Sequence, residues 1–525
     1  MNNLKVFLPF LLMALVLLFT CTDKGRQDSM PNRFGVETVF DSGWICNPAS
    51  KAFHIQGSVI VPEISQIPGA IDTIKLPNGS DSTYIDTSLL ISVLQRVVDT
   101  FSWKTFISIN WLADSAGSPD STVCFGSEDG ITVWEHWMPG SSVIVAADSM
   151  PHKWQNGLNK EGFPRNSGAN SAFNSNANRN FSTEEYWRTN PTAATPMSLG
   201  GENPEDLAVI DQQGKETLYE IFWNKVAYDY AVDSRLYNDS GRKWFVKNWP
   251  NETQGLTVYN NDTVFNIEKE YERAFFSVGN ALDSTEYQQG MKFVYTINQG
   301  SMLIKSAWKQ LSPEDDTTRF HVRRAILQDG SPVKLGLVAL HIMHKVAESP
   351  QWVWTSFQHV DNAPRMDKDG KLQINPNKDY LYFNKDLKDT NLYNKPPVYF
   401  GDKSPAPTQV VQEYLTDYSP DSINQFFHGL IKQADANSIW LNYELVGSQW
   451  PYNPDVFRAA GFDPQPHFLA NPLMETYHQK TSTCMQCHSK SRFLHVPKPK
   501  GHGSEPGTGY FSDFVMELNV PIEKE

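Results

Sequence analysis

Apolar positions along this chain recur with two different periods, and the periods divide it into helical and extended stretches. Across 87–101, Leu89, Leu90, Val93, Leu94, Val97, Val98 and Phe101 fall on one face at a spacing of three and four, which predicts an amphipathic helix. Residues 103–111 switch to a β-branched and aromatic mix that predicts a strand, and 302–308 and 334–346 predict two more. Ser419-Pro420-Asp421 opens a second helix, with Ile423, Phe426, Phe427, Leu430 and Ile431 as its buried face. A strand is expected over 440–446, and Asn471-Pro472 is expected to start a helix through Leu473, Met474 and Tyr477. The asparagine-rich 168–181 has no period and is expected to be a long surface loop. Helices and strands alternate without βαβ spacing or repeats, so the expected class is α+β, a mixed helix/strand body.

The N-terminus carries a different pattern. A short basic stretch ending in Lys5 precedes a nearly unbroken apolar run over 6–19, too short for a comfortable membrane span, and then Cys21 and a polar stretch. This resembles a bacterial lipoprotein signal in which Cys21 is lipidated, although Phe19 and Thr20 stand where smaller residues are usual. An ordinary cleaved signal or an uncleaved anchor is the alternative. Each version sends the body to the cell envelope, facing the periplasm or held at the outer membrane.

Near the other end lies Cys484-Met485-Gln486-Cys487-His488. A C-x-x-C-H run attaches a c-type haem: two thiols add across the vinyl groups, and the adjacent histidine binds the iron from the proximal face. With 5 Cys and 13 His in 525 residues, its accidental occurrence is on the order of one in a thousand. A zinc site of the paired C-x-x-C type needs a second pair, and the remaining cysteines are single and distant. One covalent haem c is therefore expected, held by Cys484 and Cys487 with His488 as proximal ligand.

These marks divide the chain into a signal (1–21), a tether (22–33), a mixed body (34–465) with room for two subdomains, and a helical haem segment (466–525). After lipid and haem take three cysteines, Cys46 and Cys124 remain, either one disulfide or two separate thiols. The body is far larger than one haem needs, and its 15 Trp supply a sizeable core. A net charge of −14 argues against nucleic acid as a partner.

Several blocks resemble a family. "QWVWTSFQHVDNAP" at 351–364, "LGLVALHIMHK" at 335–345 and "LANPLMETYHQKTSTCMQCH" at 469–488, with weaker echoes at 133–140 and 304–311, are similar to the large mono-haem cytochrome c family proteins of bacterial envelopes. The resemblance implies haem binding and electron transfer, without a particular substrate. It also offers His341 and His359 as distal iron ligands, or as buried hydrogen-bonded histidines. Met516, the only methionine after the haem motif, is a weaker candidate because it sits in an apolar run.

Between 476 and 504 there is no Asp or Glu, while Lys480, Lys490, Arg492, Lys498 and Lys500 all fall there. Such a collar either docks an acidic redox partner or neutralises the haem propionates. The P-loop, H-E-x-x-H and G-x-S-x-G motifs are missing. Asp367-Lys368-Asp369-Gly370 is expected to be a tight turn, because Arg365 and Pro376 stand where a calcium loop needs acidic ligands. Three functions follow. The first is an anchored mono-haem electron carrier. The second is a haem enzyme, peroxidase- or oxidoreductase-like, with an open distal site. The third is a ligand-binding module using its tryptophans, with the haem accessory.

Overall fold

The computed structural model describes residues 71–75, 81–85, 87–154 apart from 121, 127–129, 146–148 and 152, then 209–248, 256–257, 264–265, 276, 300–396 apart from 327–330, 347–348 and 388, 406–452, 463–495 apart from 490, and 509–518 apart from 513 and 516–517. Cys21, Cys46, the 168–181 loop, Lys490, Lys498, Lys500 and Met516 lie outside the described residues.

The chain begins with β1 (Ile71–Lys75), β2 (Asp81–Ile85), α1 (Thr87–Ile109), β3 (Met138–Pro139) and α2 (Gly140–Val143). Then come β4 (Leu218–Trp223), α3 (Lys225–Asp233), α4 (Asp239–Asn248), β5 (Leu256–Thr257) and β6 (Val264–Phe265). The long strands follow: β7 (Met302–Leu311), β8 (Val322–Ile326), β9 (Pro332–Val346) and β10 (Ser349–His359), with the hairpin β11 (Arg365–Met366) and β12 (Leu372–Gln373) after them. The C-terminal part holds α5 (Asp421–Ala434), β13 (Tyr443–Pro451), β14 (Pro464–Gln465), α6 (Cys484–His488), β15 (Arg492–His495) and β16 (Gly509–Phe511). One antiparallel sheet of eight strands dominates, in the order β14-β13-β10-β9-β7-β4-β3 with β8 added to β9. The class is α+β, rich in sheet and sparing in helix.

Side chains alternate across a strand, so each long strand contributes to two different cores. On β9, Leu340 and Ile342 join Trp103 and Phe106 of α1 and Phe427 and Ile431 of α5. Met343 points the other way, into a cluster with Ile221, Trp223, Leu303, Trp354, Met485 and Phe514. The first side is the helical face. The second receives the C-terminal segment.

The expected helices at 87–101 and from Asp421 are present, as are the strands at 302–308 and 334–346. On α5, Ile423, Phe427, Leu430 and Ile431 are buried, with Phe426 half-buried. The strand expected over 103–111 is instead helix, because α1 runs on to Ile109. Trp103, Phe106 and Ile107 continue the apolar stripe begun by Val93 and Leu94, and burial of that stripe on the sheet outweighs their β preference. The strand expected from 440 starts at Tyr443, after a 3-10 turn over Ile439–Asn442.

The helix expected from Asn471 is replaced by turns. Asn471 spends its side chain on the sheet and on the amide of Leu473, so it ties the segment down instead of starting a helix. The C-terminal segment is thus turns, a single helical turn and a hairpin, less helical than expected. The Asp367 stretch is a turn: the Asp367 carboxylate accepts from the amides of Asp369 and Lys371 at 3.0 and 2.8 Å.

Candidate haem-binding site

In α6 the C-x-x-C-H run makes one helical turn, which puts Cys484, Cys487 and His488 on neighbouring positions of one side. Neither thiol is in a disulfide, and both residues are half-buried. Burial, followed by the nearby Glu475 and Cys487, holds the Cys484 thiol well above its usual range, so it is protonated. His488 Nδ1 lies 2.8 Å from the Phe514 carbonyl oxygen. A carbonyl only accepts, so Nδ1 carries the proton and Nε2 keeps its lone pair. Burial, the main cause, and the Lys305 cation lower the His488 pKa to about 4, and the neutral ring packs 4.5 Å from that of Trp354. A neutral imidazole with its second nitrogen tied to a carbonyl is the state in which histidine binds a metal.

The turn is mounted on the sheet by side chains. Gln449 of β13 accepts from the Met485 amide at 2.9 Å and donates to the Pro466 carbonyl at 2.8 Å. Asn471 donates to Ser356 Oγ and to the Phe357 carbonyl at 3.0 and 2.9 Å, and Tyr219 donates to the Leu473 carbonyl at 2.6 Å. The segment comes so close that a Cβ on Gly447 would meet Leu469 Cδ1 at 2.9 Å. These struts stand on β4, β10 and β13, which are distant in sequence.

Strand register lines up the rest of the site. Ile221, Lys305, His341, Ser356 and Gly447 are successive partners across β4, β7, β9, β10 and β13, one row on the face that holds α6. His341 Nε2 is buried and has no hydrogen-bond partner; its nearest acid is Glu475 Oε2 at 3.6 Å. Burial first, then the charges of Lys305 and His488, lowers the His341 pKa to about 3, so the ring is neutral and no ion pair forms. Glu475 accepts from the Asn471 amide at 2.7 Å, yet burial raises its pKa to about 7. Lys305 lies 5.3 Å over the Tyr219 ring, and its charge bears on His341, His488 and Glu475 alike.

His359 lies elsewhere. It is two positions beyond Phe357 on the helical face and pairs with Tyr443, whose ring meets it edge-on at 5.3 Å. Its Nδ1 accepts from the Asp361 amide at 3.2 Å, and its Nε2 donates to the Arg319 carbonyl at 3.0 Å. Both ring nitrogens are engaged, and the sheet stands between this ring and His488. Of the basic residues, Lys480 is exposed and lies 3.4 Å from Glu413, and Arg492 is in β15. Cys124 is disulfide-bonded.

Sequence reasoning missed Glu475, Lys305, Gln449 and Phe514. A lone lysine within the apolar strand 302–308 and a glutamate four residues after Asn471 were the available signs.

Haem fits these residues: a porphyrin brings four of the six iron ligands, leaving two axial positions, and a prepared His488 Nε2 and an orphaned His341 Nε2 stand on one face of the sheet. Among the described residues no cluster of three or more His, Cys, Asp or Glu is set to hold a bare metal ion, and no described helix is long and apolar enough to cross a membrane. Comparison of the chain with protein-family models, with curated proteins and with solved structures gives no match.

Proposed function

We propose that this chain is an envelope-anchored mono-haem c-type cytochrome that carries electrons. Cys484 and Cys487 would hold the haem covalently, and His488, through Nε2, and His341 would be the residues that hold its iron. The observation that carries the reading is the state of the two histidines: His488 is locked by Phe514 into the ligating tautomer, and His341 Nε2 is a buried ring nitrogen with no hydrogen-bond partner, neutral because burial lowers its pKa to about 3. When bound, the haem supplies a one-electron couple between ferric and ferrous iron. The protein's part is to keep both imidazoles neutral by burial and to surround the motif with the apolar side chains of Trp354, Phe514 and Met485. Of the two histidines offered by the family resemblance, His341 is kept and His359 is set aside, because its nitrogens are already bonded on the other face.

An oxidising compartment agrees with the disulfide at Cys124. Export and lipidation at Cys21 remain part of the proposal, as does an acidic redox partner meeting Lys480, Lys490, Arg492, Lys498 and Lys500.

The test is a denaturing gel stained for haem together with a visible spectrum. The wild type is expected to keep covalent haem through denaturation and to show a low-spin spectrum. Cys484→Ala with Cys487→Ala is expected to lose the band altogether. An undiminished band in that double variant rejects covalent attachment at this motif.

One observation favours a second reading. Glu475 stands 3.6 Å from His341 Nε2 beside the Lys305 charge, and a carboxyl with pKa about 7 next to a neutral imidazole is an acid–base pair suited to an open distal site. In a haem enzyme His341 would move protons with Glu475 instead of holding the iron. A wild type that is high-spin and binds carbon monoxide at once selects that reading.

A further inference from the structure

After β16 the chain returns across the back of His488. Ser491 ties it on both sides of Phe514: the Ser491 carbonyl accepts from the Ser512 amide at 3.2 Å, and its hydroxyl donates to the Val515 carbonyl at 3.1 Å. Further on, the Leu518 carbonyl accepts from Arg242 Nη1 of α4 at 3.1 Å. Arg242, Phe514, Val515 and Leu518 are all buried. Phe514 itself has φ +70°, the left-handed region that an L residue adopts at a cost because Cβ crowds the carbonyl. Glycine or asparagine is the usual occupant there, and a phenylalanine stays only where its surroundings impose the conformation. This left-handed residue is also the one whose carbonyl receives the His488 Nδ1 proton.

We propose that Ser512, Phe514, Val515 and Leu518 form a clasp that orients the His488 imidazole: the left-handed turn at Phe514 aims its carbonyl at Nδ1, and Arg242 anchors Leu518 to α4. The clasp rests on the cytochrome reading above and adds a control on it. A carbonyl accepting from Nδ1 makes Nε2 a stronger donor, which favours ferric over ferrous iron. Phe514 is thus a positioning residue acting through its backbone. Its side chain has a separate task, packing 6.2 Å from Trp354 in the apolar cluster.

Two isomeric substitutions separate the backbone task from the packing task. Phe514→Leu and Phe514→Ile leave the same number of carbons, but branching at Cβ makes isoleucine poorly suited to positive φ. If the turn aims the carbonyl, Phe514→Leu stays near the wild-type midpoint potential. Phe514→Ile then shifts the ferrous-to-ferric ratio at a fixed poise by about fivefold toward ferrous, the equilibrium weight of one ordinary hydrogen bond. Arg242→Met, with Phe514 untouched, is expected to shift it the same way by a smaller factor. Equal midpoints for the leucine and isoleucine variants, both carrying haem, overturn the clasp. Should Phe514→Ile fail to accumulate, Arg242→Met decides alone, and an unchanged midpoint overturns it. A wild type with no haem band fails the cytochrome reading, whereas a wild-type band with insensitive midpoints fails only the clasp.

Discussion

The two faces of the sheet are built from alternate residues of the same strands, and they do opposite work. The helical face is a large aromatic and aliphatic cluster in which buried polar groups are embedded. Several of these are spent on one another: Trp103 Nε1 donates to Asn424 Oδ1 at 2.9 Å, and Ser102 Oγ meets Thr355 and Ser448 at 2.8 and 2.7 Å. The opposite face carries Lys305, His341, Ser356 and Gln449, covered by a segment with little regular structure. The helices α1 and α5 bury a regular apolar stripe, whereas the C-terminal segment combines buried apolar residues such as Leu473, Met485 and Phe514 with hydrogen bonds between side chains and backbone. Both faces bury large apolar clusters, and the proposed site lies on the face where Lys305, His341 and Glu475 come together.

The sharpest break of that division is a pair of histidines on opposite faces. If the proposed cytochrome reading holds, His341→Ala is expected to turn a low-spin spectrum fully high-spin and open the iron to carbon monoxide, with little loss of stability. His359→Ala is expected to leave the spectrum alone and cost about 2–3 kcal/mol, because it empties a buried site and orphans the groups bonded to the ring. Spectra and urea melts of both variants test it; a His359 variant with the altered spectrum reverses the assignment of faces.

A change confined to the helical face comes next. Trp103 is fully buried, stacks 5.2 Å from Phe427 and bonds to Asn424. Trp103→Ala is expected to cost about 3–5 kcal/mol in chemical denaturation while the haem spectrum of the folded protein is unchanged. A spectrum that changes along with stability means the two faces are not separable.

A third break depends on pH. Asp99 of α1 is buried, and burial outweighs hydrogen bonds from Tyr418, Ser448 and Gln95 to raise its pKa from 3.8 to about 6. The folded state therefore holds that proton more tightly than the unfolded state, and stability falls as pH rises from about 4 through 6, by up to about 3 kcal/mol. Asp99→Asn is expected to flatten this limb, so its stability relative to wild type is better at pH 7 than at pH 4. The histidines act in the other direction. His344 and His359 have pKa values lowered by burial to about 3 and about 4, so the unfolded state gains protons first and stability falls as pH drops below about 6.5. Melts of wild type and Asp99→Asn from pH 4 to 8 check the sign; parallel curves would remove Asp99 from the account.

Much of the framework is legible in the chain, for reasons that stop where local pattern stops. The α5 stripe Ile423, Phe427, Leu430 and Ile431 has a single period and flanking signals, so the helix is plain. Residues 103–111 are not, because aromatic and β-branched residues fit either element until the sheet beneath α1 claims one face. Asn471-Pro472 reads as a helix start, but the asparagine side chain finds Ser356, a residue 115 positions away.

The chemistry proposed for the C-terminus is written locally: two thiols and an imidazole within five residues need only one helical turn to come together. The amino-acid order also puts His341 and His359 in adjacent strands, equal as candidates. Assembly of the sheet separates them, because strand register turns one toward α6 and the other toward Tyr443, and a one-residue offset in a pleated sheet is the difference between its two faces. The same holds for Glu475, Lys305 and Phe514. Their roles depend on burial and on partners that meet only when β4, β7, β9, β10 and β13 are assembled, and no local pattern encodes that distance.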